Sequence, residues 1–318
     1  MSNGITMKIK ILLLLCAIFV LFGCSDNRPE KLKGNIKNAQ YLLNNLGQAL
    51  DNHNVLNATL LREYAKIESA DKPNLTPLLD ELARDATTDG PLYEGLKKRL
   101  QTLKQRPQVL GDIDAQIVES KNLIAAADPK LFNDALSDPV NVIADMSGGK
   151  LARVNAISSA QSLSANNATD NGAGSQLVGN PGYGSWQTNS SGSSFWQWYG
   201  MYAMFSALSP HRIGYGNWAS HRDYSYYSDV GRNHYTSPSK MKSQDNLATR
   251  TKKQFGSRGG FKSPYAKHKT GASRMSAASQ KAQKSSSFAR KSSFFKSRSA
   301  GSFRNSRSTT SRGIRRGK

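Results

Sequence analysis

Cysteine is almost missing from this chain: Cys16 and Cys24 are the only two in 318 residues. Both belong to the first hydrophobic run or its end. The body of the protein therefore carries no thiol pair, which excludes a disulfide framework and a cysteine-built metal site. Long apolar runs are scarce as well. Ile11 to Phe22 is an unbroken run of twelve residues. As a helix of ~1.5 Å per residue it would reach ~18 Å, short of the ~30 Å hydrocarbon core of a bilayer. Acidic residues stop altogether near the end, with none from Asn246 to Lys318 against 20 Lys and Arg. Catalytic motifs are missing too, so the expectation is a protein that is not an enzyme and holds no cofactor.

What is present begins at the N-terminus. Lys8 and Lys10 precede the apolar run, and the layout of basic start and short greasy core is that of a secretory signal. Met7 is an alternative start, because Ser2 to Thr6 add nothing a signal needs. The run ends in Leu21-Phe22-Gly23-Cys24. That tetrapeptide resembles the lipobox of bacterial lipoproteins, with Phe22 bulkier than the small residue usual at its place. The resemblance implies cleavage between Gly23 and Cys24 and acylation of Cys24, which becomes the lipidated first residue. Each buried CH₂ contributes ~0.8 kcal/mol, and two or more acyl chains suffice for stable anchoring. Ser25 after the cysteine implies, by the enteric sorting pattern, the outer membrane over the inner one, although Asp26 weighs the other way. A periplasm-facing chain is favoured over a surface-exposed one.

Charge divides the remainder. Ser25 to Leu163 holds 17 basic and 18 acidic residues, whereas Ser164 to Lys318 holds 25 and 4. Such a split predicts a folded domain joined to a basic interaction tail. In the first half apolar residues recur at helical spacing. Ile36, Ala39, Leu43, Leu46 and Leu50 form one stripe, which Asn52-His53-Asn54 interrupts. Leu56, Leu60, Tyr64 and Ile67 form a second, Leu75, Leu78, Leu82 and Ala86 a third, and Leu92, Leu96, Leu100 and Leu103 a fourth. Ile113, Ile117 and Ile124 hint at a fifth. Thr76-Pro77, Asp128-Pro129 and Asp138-Pro139 read as helix starts, and Gly148-Gly149 as a stop. Narrow stripes must pack on one another to be stable. The expectation is an all-α protein, an antiparallel helical bundle or helical hairpin array, followed by a long, largely disordered basic tail.

The predicted organisation is a signal peptide at 1–23, a helical domain at 24–162, a Ser/Asn/Gly linker without structure at 163–194, an aromatic-rich segment at 195–245 and a polycationic tail at 246–318. All four tryptophans, Trp186, Trp196, Trp198 and Trp218, fall in the linker and the aromatic segment. Phe195 to Leu208 is apolar on every side except for Gln197 and Ser206, which suits neither an exposed helix nor a membrane span. Three readings stay open: docking on the helical domain, lying in the membrane interface, or contacting a protein partner. For the last two the candidate residues are Phe195, Trp196, Trp198, Tyr199, Tyr202 and Phe205. His211, His221 and His234 lie near Asp223 and Asp229, but their spacings match no standard metal-ligand set. Ser220, His221 and Asp223 are sequence neighbours without the fixed geometry a triad needs. Asp80, Glu81 and Asp85 read as a solvated helical surface.

In the tail, Arg290, Lys291, Lys296, Arg298, Arg304, Arg307, Arg312, Arg315 and Arg316 alternate with Ser and Phe. Such a chain is suited to polyanion binding through counterion release, with aromatic rings available to stack. Behind a lipobox the expected partners are the membrane, through Cys24, and an anionic envelope polymer, an anionic lipid or an acidic protein. Nucleic acid is the alternative, met at the surface or in extracellular matrix. The lipobox, the apolar segment and "SRGGF" at Ser257 to Phe261 together resemble the YgiB-type bacterial lipoproteins. The resemblance covers less than a third of the chain, leaves out the helical half and implies no activity.

Overall fold

The computed structural model describes residues 26–209, 211–255, 261, 263–265, 271–272 and 275–284. The signal, Gly23 and Cys24 lie outside them, as do the nine basic tail residues named above and "SRGG" at 257–260.

The described chain is helical, with a single two-stranded hairpin. Helix α1 (Arg28–Asp51) ends where His53 takes a left-handed φ of 57°, at the interruption that the sequence marks. It packs on α4 (Pro91–Gln105) and α5 (Ile113–Ala126), giving one group of three. Helix α2 (Leu56–Asp71) packs on α3 (Thr76–Ala83), α6 (Pro129–Ala135) and α7 (Ser137–Met146). Gly148 and Gly149 take positive φ just after α7 and stop it. The all-α expectation holds, and the first, third and fourth leucine stripes are the buried faces of their helices.

The second stripe is displaced. Leu56 and Ile67 are exposed, and α2 buries Ala58, Leu61, Ala65 and Glu68 instead. Alanines on that face let α2 approach its neighbours closely, while the larger side chains stay outside. The three helix starts fall where the sequence marks them, but only one of the three side chains caps its helix. Asp128 caps α6, its carboxylate accepting the Lys130 N–H at 2.8 Å. Thr76 is itself the first residue of α3 and makes no capping bond, and Asp138 lies in the first turn of α7, where its carboxylate serves a distant segment.

The stretch expected to be an unstructured linker is folded. Helix α8 (Ser159–Asn166) leads to a turn at Ser175–Leu177, where Leu177 and Val178 are buried, and then to Tyr183, buried too. Strand β1 (Gly184–Thr188) pairs antiparallel with β2 (Ser194–Trp198), with Trp186 opposite Trp196. Low apolar content misled the reading: few side chains here need burial, but Tyr183 meets Tyr202, and Trp186 meets Trp196, Tyr215 and Trp218, all from further along the chain. Short helical turns follow at Phe205–Leu208, Tyr215–His221 and Arg232–Tyr235. The last long helix, α9 (Pro238–Phe255), crosses the expected start of the disordered tail at residue 246. Leu247, Tyr265 and Ala282 are buried, so the described part of that region belongs to the folded body. One apolar cluster runs from Leu32 through the helices and hairpin to Tyr265.

Candidate functional site

Acids from the helical half hold the later segments in place. Asp85, fully buried, accepts the Tyr183 hydroxyl at 2.5 Å and the Leu92 N–H at 3.3 Å. Burial pushes its carboxyl up to about 7, against the pull of the Tyr183 hydrogen bond. Asp138 accepts the Tyr226 and Tyr227 N–H groups at 2.7 and 2.8 Å, and burial likewise raises it to about 7. Asp134 takes the Ser276 N–H at 2.9 Å. Arg99 of α4 grips Glu119 of α5 through two bonds of 2.7 and 2.9 Å and donates to the His234 carbonyl. His234 itself is held down to about 4 by burial and by the nearby Arg99 charge. These acids therefore serve as structural anchors. The sequence reading of Asp85 as solvated surface is corrected: its side chain has no access to water, whereas Asp80 is exposed and Glu81 pairs with Arg84 at 2.8 Å.

The two acids weighed as metal or triad candidates are likewise engaged inside the fold. Asp229 pairs with the buried Arg222 at 2.5 Å, and Asp223 accepts the Ser162 hydroxyl at 2.5 Å. Among the described residues no group of three or more His, Cys, Asp and Glu is placed to hold a metal ion.

The aromatic segment docks on its own protein. Trp196, Trp198, Tyr202 and Phe205 are buried, so in this structure they are not available to a membrane or partner. Trp186 forms the hub: its ring lies 5.1 Å from Trp196, 4.8 Å from Tyr215 and 5.0 Å from Trp218. Edge-to-face and tilted pairs of this kind contribute beyond their buried area. Of the six candidate contacts, Tyr199 is exposed and Phe195 is half-buried beneath the Arg212 guanidinium, 3.3 Å from the ring centre. Tyr202 ties the segment to α3 through a hydrogen bond from its hydroxyl to the Glu81 carbonyl at 3.2 Å.

Docking the hairpin opens a groove of about 490 Å³ between β1 and α9. All five β1 residues line one wall. Lys240, Ser243, Leu247 and Arg250, spaced along one face of α9, line the other. Gln244 fixes the wall's position by donating to the Gly179 carbonyl and the Tyr227 hydroxyl, each at 3.0 Å. The sequence reading missed this groove. Its signals were the 3, 4, 3 spacing of Lys240, Ser243, Leu247 and Arg250, and the alternation of Trp196 with Trp198.

No protein-family model matches the sequence, and comparison with curated proteins and with solved structures gives no match. No helix among the described residues is long and apolar enough to cross a membrane.

Proposed function

We propose that this protein is a non-enzymatic lipoprotein of the bacterial cell envelope, anchored through Cys24, whose basic tail engages an anionic envelope component. The observation that carries the reading is the Lys8/Lys10 start, the twelve-residue apolar core and the Gly23-Cys24 ending, met together. The start of the fold agrees with it. Helix α1 opens at Arg28, so only Ser25, Asp26 and Asn27 separate it from Cys24. Three extended residues span ~10 Å, which would hold the end of the bundle close to the headgroups. The outer membrane and a periplasm-facing orientation remain the favoured placement.

The tail's share of the function is electrostatic. Near an anionic surface each Lys or Arg contributes ~1 kcal/mol, decaying within a Debye length. The candidate residues are Arg290, Lys291, Lys296, Arg298, Arg304, Arg307, Arg312, Arg315 and Arg316. Two measurements test the proposal. Labelled palmitate should enter the wild-type protein and not Cys24→Ser. Peptidoglycan sacculi or vesicles with anionic lipid should retain the protein at low salt and release it at high salt. An unlabelled wild-type protein that keeps its leading residues sinks the anchor. Retention by DNA alone, on protein reachable by protease on intact cells, replaces the envelope ligand with nucleic acid.

A further inference from the structure

We propose that the groove between β1 and α9 receives an extended acidic peptide of a partner protein, added to β1 as a third strand. β1 is an edge strand. Its partner β2 is covered on the far side, where the Trp196 N–H bonds the Ile213 carbonyl at 2.9 Å. That bond also fixes the pairing phase. With Tyr199 bonded to Tyr183 and Asn189 to Ser193, the odd-numbered β1 residues face β2 through their backbone groups. The N–H and C=O groups of Gly184, Trp186 and Thr188 therefore point away from β2, to the free edge. No hydrogen bond among the described residues engages them. An open row of backbone donors and acceptors beside a helix is the arrangement that β-strand addition uses.

Charge names the occupant. Lys240 and Arg250 stand exposed on the helix wall, and no acidic residue lines the groove. The nearest acid on that helix, Asp245, is already paired with Arg232 at 2.7 Å. The chain beyond α9 is excluded as occupant, because its 17 basic and no acidic residues from Gly256 onward would be repelled. A strand with carboxylates at alternate positions would turn one row of side chains to the two cations while its backbone pairs with β1. This site is built from β1 and α9 rather than from the basic residues from Arg290 onward, and stands whether or not those residues bind an envelope polymer.

The test uses the full-length protein and an array of fluorescent octapeptides carrying Glu or Asp at alternate positions, read by anisotropy. The tail also attracts acidic peptides, so the decisive comparison keeps charge constant. Methylating the backbone nitrogens that would face β1 removes edge hydrogen bonds and leaves every carboxylate. The best peptide should lose at least tenfold in affinity on methylation. It should lose as much against the Lys240→Glu/Arg250→Glu protein, and also against Thr188→Pro, which deletes an edge donor outside the β1–β2 ladder. Binding indifferent to methylation belongs to the tail and overturns the proposal. So does an array in which no acidic peptide binds better than its lysine counterpart.

Discussion

Asp85 and Tyr183 are 98 residues apart, yet their side chains meet at 2.5 Å with no water in reach. Burial raises the acid to about 7, well above the ~4 of an exposed aspartate, so the folded chain keeps a proton that the unfolded chain has released. The sign follows from linkage. The contribution is complete below about pH 4 and is lost as pH rises through about 7. Asp138 adds a contribution of the same sign. His234, held down to about 4, acts oppositely: its neutral burial supports the fold above about pH 6.5 and loses ground as pH falls through 4. Asp85→Asn keeps the shape and can still accept from Tyr183. Denaturant titrations between pH 4 and 8 should show a shallower fall in stability with rising pH than wild type. An unchanged slope would remove Asp85 from the account.

At the scale of elements, the hairpin depends on one position without a side chain. A Cβ at Gly184 would lie 2.4 Å from the Gln197 carbonyl oxygen and 2.6 Å from the Trp196 ring. Backbone and a packed indole cannot both retreat, so Gly184→Ala should destabilise the protein by about 1–3 kcal/mol. The damage should register in near-UV circular dichroism from the tryptophan cluster before the helical signal changes. Full stability in the variant would show that the strands are not held this tightly. The same scale explains what could be read in advance. Leu92, Leu96, Leu100 and Leu103 repeat at helical spacing, a period set locally and therefore legible, and packing of α4 on α1 and α5 buries them. On α2 the period was present but the face was wrong, since Ala58 and Ala65 carry little hydrophobic signal and still make the contact. Asp138-Pro139 looks like a cap in sequence, and only the distant Tyr226 and Tyr227 reveal its use. The β1–α9 groove was illegible for a related reason. Its walls are 52 residues apart at Trp186 and Pro238, and half of it comes from a stretch poor in apolar residues.

For the whole molecule, the charge split marks a difference in composition that the apolar core does not respect. Residues before and after 163 share one cluster, and acids of the first part are buried against groups from the second. A chain ending at residue 162 would remove the turns at Gly200–Met204 and Ser175–Leu177 that pack on α3 and α7, and leave Asp85 and Asp138 without their later partners. Ionised and solvated, those two acids no longer raise stability at low pH, and the apolar surface they adjoin loses its cover. We therefore expect the 24–162 fragment to retain helix in far-UV circular dichroism but to melt without a sharp transition. The longer chain should unfold in one transition with matching calorimetric and van't Hoff enthalpies. A fragment that melts cooperatively at the temperature of the whole protein would show that the helices form their own domain. The hairpin, with the groove beside it, would then be an appendage on a fold already complete.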